Sequence, residues 1–160
     1  MSNINSETIQ KFYTSFSSKN IDAMLECYAE TIVFEDPVFG QLKGNTAKAM
    51  WRMLIERSTD LSLTFSGVEA DETTGRADWT AVYPFSKTGR TITNQIHAEF
   101  TFQDGRIVTH KDHFNLWKWA GMALGWKGYV LGFSSVIQDK IKKEAKSGLE
   151  LYMKRKKIQP

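Results

Sequence analysis

Apolar residues recur with a helical period in the first part of the chain and with a strand period after it. Ile9, Phe12, Tyr13 and Phe16 fall at i, i+3, i+4 and i+7, which predicts an amphipathic helix with Ser6 as its cap and Glu7 in its first turn. Asn20 opens a second helix with Ile21, Met24, Leu25 and Tyr28 on one face. Thr31–Glu35 reads as a short strand stopped by Pro37, Gly40 and Gly44 mark a loop, and Ala47, Met50, Trp51, Leu54 and Ile55 form the stripe of a third helix. The period then changes to two. Leu61, Leu63 and Phe65 alternate with polar residues, as do Ala77, Trp79, Ala81, Tyr83 and Phe85, and then Ile92, Ile96, Ala98, Phe100 and Phe102. Thr74-Gly75, Thr88-Gly89 and Asp104-Gly105 supply turns, and a fourth strand is expected from Arg106 to about Phe114. Helices followed by an antiparallel meander with one apolar face predict an α+β fold.

Composition narrows the class. The 160 residues include 41% hydrophobic and 24% charged positions, which suits one packed domain. Cys27 is the single cysteine, so no disulfide forms within the chain, and the start Met1–Ser6 is polar; a cytoplasmic location is the expectation. A formal charge of +3 does not call for nucleic acid. The charge is uneven, however. Residues 138–160 hold eight lysines and arginines against three acids, a basic tail on a mildly acidic body.

The order helix, helix, strand, helix, meander, together with Tyr28-Ala-Glu-Thr-Ile-Val-Phe-Glu-Asp-Pro37, resembles the nuclear transport factor 2-like superfamily. That group includes ketosteroid isomerases, SnoaL-type polyketide cyclases, scytalone dehydratase and limonene epoxide hydrolase. The resemblance covers about residues 7–114. It implies a cone-shaped curved antiparallel sheet packed on three N-terminal helices, with residues 1–114 as the cone domain and 115–160 as a C-terminal helical extension rather than a separate domain. The closest local match is to ketosteroid isomerase at Glu35-Asp36-Pro37, which implies a proton-shuttling base at Asp36. The isomerases' two oxyanion donors would fall on Phe12 and Ala98, neither of which can donate, so steroid isomerisation by that constellation is not expected.

Four residues are candidates for chemistry. Asp36 shares a strand face with Ile32 and Phe34; it either points into the cone, where lost hydration would raise its pKa, or caps the Pro37–Gly44 loop. His110 and Asp112 share a strand face with Phe114, Arg106 and Val108, a parity that points into the cone in this superfamily and would let an imidazole relay protons beside carboxylates. The opposite parity would turn Ile107, Thr109, Lys111 and His113 inward. Tyr83, beside Trp79, could donate to an oxyanion or sit in the core with its hydroxyl satisfied locally. Phe12, Phe16, Trp51, Trp79, Asn94, Ala98, Phe100 and Phe114 are the expected substrate-binding or cavity-lining positions. No metal or other cofactor is expected: His110 and His113 lie three apart on a strand and point to opposite faces, and no glycine-rich phosphate loop is present.

These residues point to a small-molecule enzyme of the SnoaL-like or ketosteroid isomerase-like type. It would perform isomerase, lyase or hydrolase chemistry by general acid/base catalysis on a largely apolar ligand in a conical pocket. A non-catalytic carrier of an apolar ligand is the alternative. Gln95, His97, Glu99 and Thr101 fall on the outer sheet face, where a homodimer is expected. The stretch Trp117–Ile137 is rich in Trp, Leu, Gly and Val with only Lys118 and Lys127 charged. Gly125-Trp-Lys-Gly128 reads as a turn between two short helices that cover the cone mouth or a partner. Docking on a membrane surface through 115–160 is a second reading, and a bilayer span, with four glycines through Gly132 lining one side, a third.

Overall fold

The computed structural model describes residues 3–131 and 134–160, so Gly132 and Phe133 of the expected apolar tail lie outside the described residues. Helix α1 (Ile4–Ser17) starts one turn earlier than the sequence suggests. Asn3 is its cap, accepting from the Ser6 N–H, and the Ser6 hydroxyl accepts from the Asn3 N–H in return. Its buried stripe is Ile9, Phe12, Tyr13 and Phe16. Helix α2 (Ile21–Glu26) is capped by Asn20 and ends at Cys27, which moves Tyr28 off the helix and into the first strand.

Strands β1 (Tyr28–Asp36), β2 (Gly40–Lys43), β3 (Ser62–Ala70), β4 (Thr74–Pro84), β5 (Thr91–Gln103) and β6 (Arg106–His113) form one curved, unclosed sheet in the order β2-β1-β6-β5-β4-β3. Two features depart from a plain meander. The segment read as a loop contains β2, which folds back on β1 with Phe34 opposite Leu42 and Asp36 opposite Gly40. And β1 joins β6 in parallel, so the sheet is mixed rather than wholly antiparallel. A parallel neighbour requires a long crossover. Helix α3 (Asn45–Arg57) and β3–β5 provide it, bringing the end of β1 beside the end of β6.

The parity of β6 is set by a bulge. Thr101 of β5 pairs with Thr109, but Phe102 pairs with Ile107, leaving Val108 as the extra residue. Ile107 is therefore fully buried below the bulge, while His110 and Asp112 are buried above it. Neither strict alternation expected from the sequence holds along the whole strand: Arg106 is exposed, Val108 is half-buried, and Thr109, Lys111 and His113 face out.

Helices α1 and α3 fill the concave side, and the core between them and the sheet is strongly aromatic. The C-terminal helices pack against the sheet and α3. Helix α4 (Leu116–Leu124) crosses the end of the sheet, α5 (Trp126–Leu131) turns back against α4, and α6 (Ser135–Lys156) runs to α3. There Leu149, Tyr152 and Met153 are buried, and the Tyr152 hydroxyl donates to Glu56 at 2.7 Å. The Gly125-Trp-Lys-Gly128 turn begins α5, and Gly128 meets α4 so closely that a Cβ there would collide with the Ala120 carbonyl oxygen. Among the described residues, no helix is long and apolar enough to cross a membrane.

Candidate functional site

Asp36 ends β1 and stands at the rim of the concave face with its side chain partly exposed. Its Oδ1 accepts from the backbone N–H groups of Val38 (2.9 Å) and Phe39 (2.6 Å), so it does cap the turn into β2. Oδ2 makes no hydrogen bond among the described residues. Burial pushes the carboxyl up from 3.8 to about 7; the Phe39 N–H opposes this, and the nearby Asp112 charge adds to it. The loop-capping reading is thus seen at Oδ1.

His110 lies deeper, 1% exposed, with Asp112 at 4%. The imidazole Nε2 is 2.8 Å from Asp112 Oδ1, and Nδ1 is 2.6 Å from the Tyr28 hydroxyl. The Trp51 Nε1–H donates to Tyr28 at 2.9 Å, and the Trp79 Nε1–H reaches Asp112 at 3.4 Å. With the imidazole proton on Nε2, every bond in the chain Trp51–Tyr28–His110–Asp112 has one donor and one acceptor. Aromatic rings enclose it. The Trp51 ring lies nearly parallel to the imidazole at 6.0 Å, and Phe100, Phe34 and Phe12 approach it at 4.5, 5.1 and 5.5 Å. Tyr28 was not anticipated as a site residue, because reading it as helical hid its inward direction. Burial, with the Asp112 charge second, holds its phenol well above the ordinary range.

Tyr83 sits at the same rim as Asp36 on β4, partly exposed. Its hydroxyl accepts from the Trp119 Nε1–H of α4 at 2.9 Å, and its own proton has no acceptor among the described residues. Burial raises its pKa, the Trp119 bond lowers it, and the Asp36 charge raises it again. Trp119, a contributor from the tail, carries no local signal that would mark it as a partner. Asn94 is 6% exposed on the inward face of β5 opposite Ala81, and its side-chain amide makes no hydrogen bond among the described residues.

The other expected lining residues divide by depth. Phe12, Phe16, Trp51, Trp79 and Phe100 are buried; the first four meet edge-on or tilted, with Phe16 5.3 Å from Trp51 and 5.5 Å from Trp79, and Phe100 lies against His110. Ala98 is opposite Asp112, and the partly exposed Phe114 follows β6 at the rim. Tyr13, between Phe65 and Trp79, has a buried hydroxyl with no partner. Asp36, Tyr83, Phe114 and Trp119 are thus the partly exposed members of the set, and the aromatic residues beneath them are buried. Two surface concavities, one beside Asn3–Asn5 and one beside Lys43 and Lys48, share no residue with this site.

The opposite sheet face carries a separate polar cluster. His97 Nδ1 is 2.7 Å from Asp78, and His113 Nε2 is 3.2 Å from Glu99. Among the described residues, no group of three His, Cys, Asp or Glu side chains is arranged to hold a metal ion.

Comparison with known proteins agrees with the architecture. A nuclear transport factor 2-like protein of unknown function from Burkholderia pseudomallei superposes with a TM-score of 0.63 at 20% identity, covering 71% of this chain and 92% of that one. An LEH-like epoxide hydrolase of M. tuberculosis gives 0.64 at 15% identity over 81% and 95%. A protein of ketosteroid isomerase-like fold from Catenulispora acidiphila, in complex with trimethylamine, gives 0.64 at 9% identity over 73% and 92%. At these identities the likeness is one of fold. No curated protein matches the chain. The SnoaL-like domain matches residues 9–110, from the first buried apolar residue of α1 to the imidazole of the buried chain, and by that match over more than half its length the protein belongs to the SnoaL-like family.

Proposed function

We propose that this protein is a small-molecule enzyme performing general acid/base chemistry on a largely apolar compound that enters at the rim. One observation carries the reading. A carboxylate oxygen without a hydrogen bond, Asp36 Oδ2, and a phenol proton without an acceptor, on Tyr83, are both partly exposed, and the Asp36 charge reaches the Tyr83 phenol. In this reading Asp36 Oδ2 takes a proton from carbon beside a carbonyl, or from water. Tyr83, polarised by the Trp119 N–H, donates to the oxygen where negative charge develops. Return of the proton to another carbon is isomerisation, loss of a leaving group is a lyase step, and delivery of activated water is hydrolysis.

The buried Asp112–His110–Tyr28 chain supports this rim from below. Its carboxylate helps keep the Asp36 proton affinity close to neutral pH. Asp112 faces Ala98, the position where the isomerase resemblance implies an acidic donor, so the acid stands one strand over. Phe12, Phe16, Trp51, Trp79 and Phe100 form the apolar floor, and Asn94 offers an unused amide to a polar group of the ligand. The buried, unpaired Cys27 thiol fits a cytoplasmic location. Twofold packing of the outer faces around His97 and Glu99 is the proposed assembly.

The test is solvent-deuterium exchange at activated carbons of a panel of apolar ketones, enones and lactones, followed by proton NMR, with parallel hydration assays on epoxides. Wild type should accelerate one class, and Asp36→Asn should lose about a hundredfold or more of that rate. Equal rates in wild type and Asp36→Asn would refute the assignment. Tight binding of an apolar compound without turnover would favour the carrier.

A further inference from the structure

The α4–α5 hairpin exposes an unusual amount of apolar surface. Ten large hydrophobic side chains are exposed among the described residues, and seven of them lie between positions 117 and 136. Trp126 and Val136 are each 72% exposed, and Trp117, Leu124, Val130 and Leu131 are between 37% and 53%. A patch of this kind on a folded chain marks something that it meets.

The patch is built to stay open. Gly128 brings the α5 backbone onto Ala120, and the Tyr129 ring lies over Gly121, where a Cβ would sit 2.5 Å from it. The Trp117 Nε1–H donates to the Tyr129 carbonyl at 2.9 Å. The hairpin is also fixed to the β4–β5 loop and to β4. Thr88 donates to the Ala123 carbonyl at 2.6 Å, Arg90 Nε to the Met122 carbonyl at 2.9 Å, and Trp119 to Tyr83. These contacts hold the two helices together while their outer side chains remain in solvent.

Charge says what covers the patch. No Asp or Glu occurs from 113 to 138, whereas Lys118 and Lys127 flank the exposed rings and the Arg90 guanidinium lies beside Gly125. Lys140, Lys142 and Lys143 follow at the start of α6. Residues 115–160 carry ten lysines and arginines against three acids; residues 1–114 carry eleven against fifteen. Two copies meeting through this patch would bring like charges together. A surface that accepts Trp, Leu and Val side chains under a layer of negative charge fits both properties.

We infer that the α4–α5 hairpin docks on an anionic lipid bilayer, lying in the interface with Trp126, Val130 and Leu131 inserted and the lysines at headgroup level. Helices of nine and six residues are suited to lie in that plane and too short to cross it. Because α4 also holds the Tyr83 rim, docking presents the rim of the proposed site to the bilayer, where apolar compounds accumulate; this last consequence rests on the proposed function, and the docking does not.

The test is co-sedimentation of the full chain with vesicles of phosphatidylcholine alone or with 30% phosphatidylglycerol, at low and high salt, alongside Trp126→Ser/Val130→Ser and Lys118→Gln/Lys127→Gln variants. All four altered side chains are exposed, and circular dichroism and melting check the fold. Wild type should bind the anionic vesicles at least tenfold better than the neutral ones, weakening with salt. Each variant should lose tenfold or more, and brominated lipid should quench tryptophan fluorescence in wild type. Wild type left in the supernatant with anionic vesicles, or a Trp126→Ser/Val130→Ser protein that binds as well, would overturn the inference. So would light scattering that shows the patch consumed in self-association, abolished by the same double variant, with no vesicle binding.

Discussion

Replacing Asp36 by Asn should make the protein more stable, and only at the upper end of the pH scale. The carboxyl titrates at about 7 in the folded chain against 3.8 ordinarily. At about 1.4 kcal/mol for each tenfold change in proton affinity, the ionised group costs the native state roughly 4 kcal/mol. The sign follows from proton counting. Between pH 3.8 and 7 the native state holds a proton that the unfolded chain has released, so stability falls as pH rises across that window, and the loss is complete above it. Asn keeps the acceptor for the Val38 and Phe39 N–H groups, and their preference for the ionised oxygen is already contained in that net shift. The expected gain at pH 8.5 is about 2–4 kcal/mol, or a rise in Tm of roughly 4–16 °C. It should shrink steadily towards pH 4.5. Urea unfolding of both proteins at half-unit steps of pH measures it. A variant less stable than wild type at pH 8.5, or a gap that does not change between pH 8.5 and 4.5, would refute the account of Asp36 as a strained base.

Four further outcomes are expected. Tyr28→Phe leaves the Trp51 indole N–H and His110 Nδ1 buried without partners and should cost about 2–4 kcal/mol in urea unfolding; a loss below about 0.5 kcal/mol would mean the chain is relaxed or hydrated. Tyr13→Phe removes a buried hydroxyl that has no partner and should be neutral or gain up to about 1 kcal/mol, so a clear loss would point to a bound water there. Gly128→Ala forces a methyl against the Ala120 carbonyl and should raise hydrogen exchange across 116–131 while leaving β4–β6 protected; unchanged exchange in the hairpin would contradict the close packing. Burial lifts the Cys27 thiol to about 11, so at pH 8 native protein should resist a thiol-reactive disulfide over times that label the urea-unfolded chain completely; equal rates would show the thiol to be accessible.

The α+β order was legible because the periods are strong. The helical stripe from Ile9 to Phe16 and the alternation from Ala77 to Phe85 each describe one face, and a face is what packing against a core selects. The mixed sheet was not legible, since pairing of β1 with β6 joins segments some 80 residues apart and leaves no local mark on either. The Pro37–Gly44 segment hid β2 because a four-residue strand has too few positions to display a period. Within the candidate site, Asp36 stood out through its neighbours Glu35 and Pro37. Tyr28 did not, since its position after Leu25 also fitted a helix face and only the end of α2 at Glu26 turned it inward. Trp119 was visible as an apolar residue of the tail, but its bond to Tyr83 depends on how α4 crosses the sheet, which no spacing encodes.

The extra residue at Val108 makes β6 two half-strands with opposite phase. Below it, Ile107 seals the core with no exposed surface; above it, His110 and Asp112 follow a separate alternation. Removing that one residue would slide the seal and the polar pair into a single alternation, and one of the two would have to face water. The molecule therefore has a joint at which its scaffold and its chemistry can vary independently, and sequence comparison across β6 that ignores the joint will align inward positions of one relative with outward positions of another.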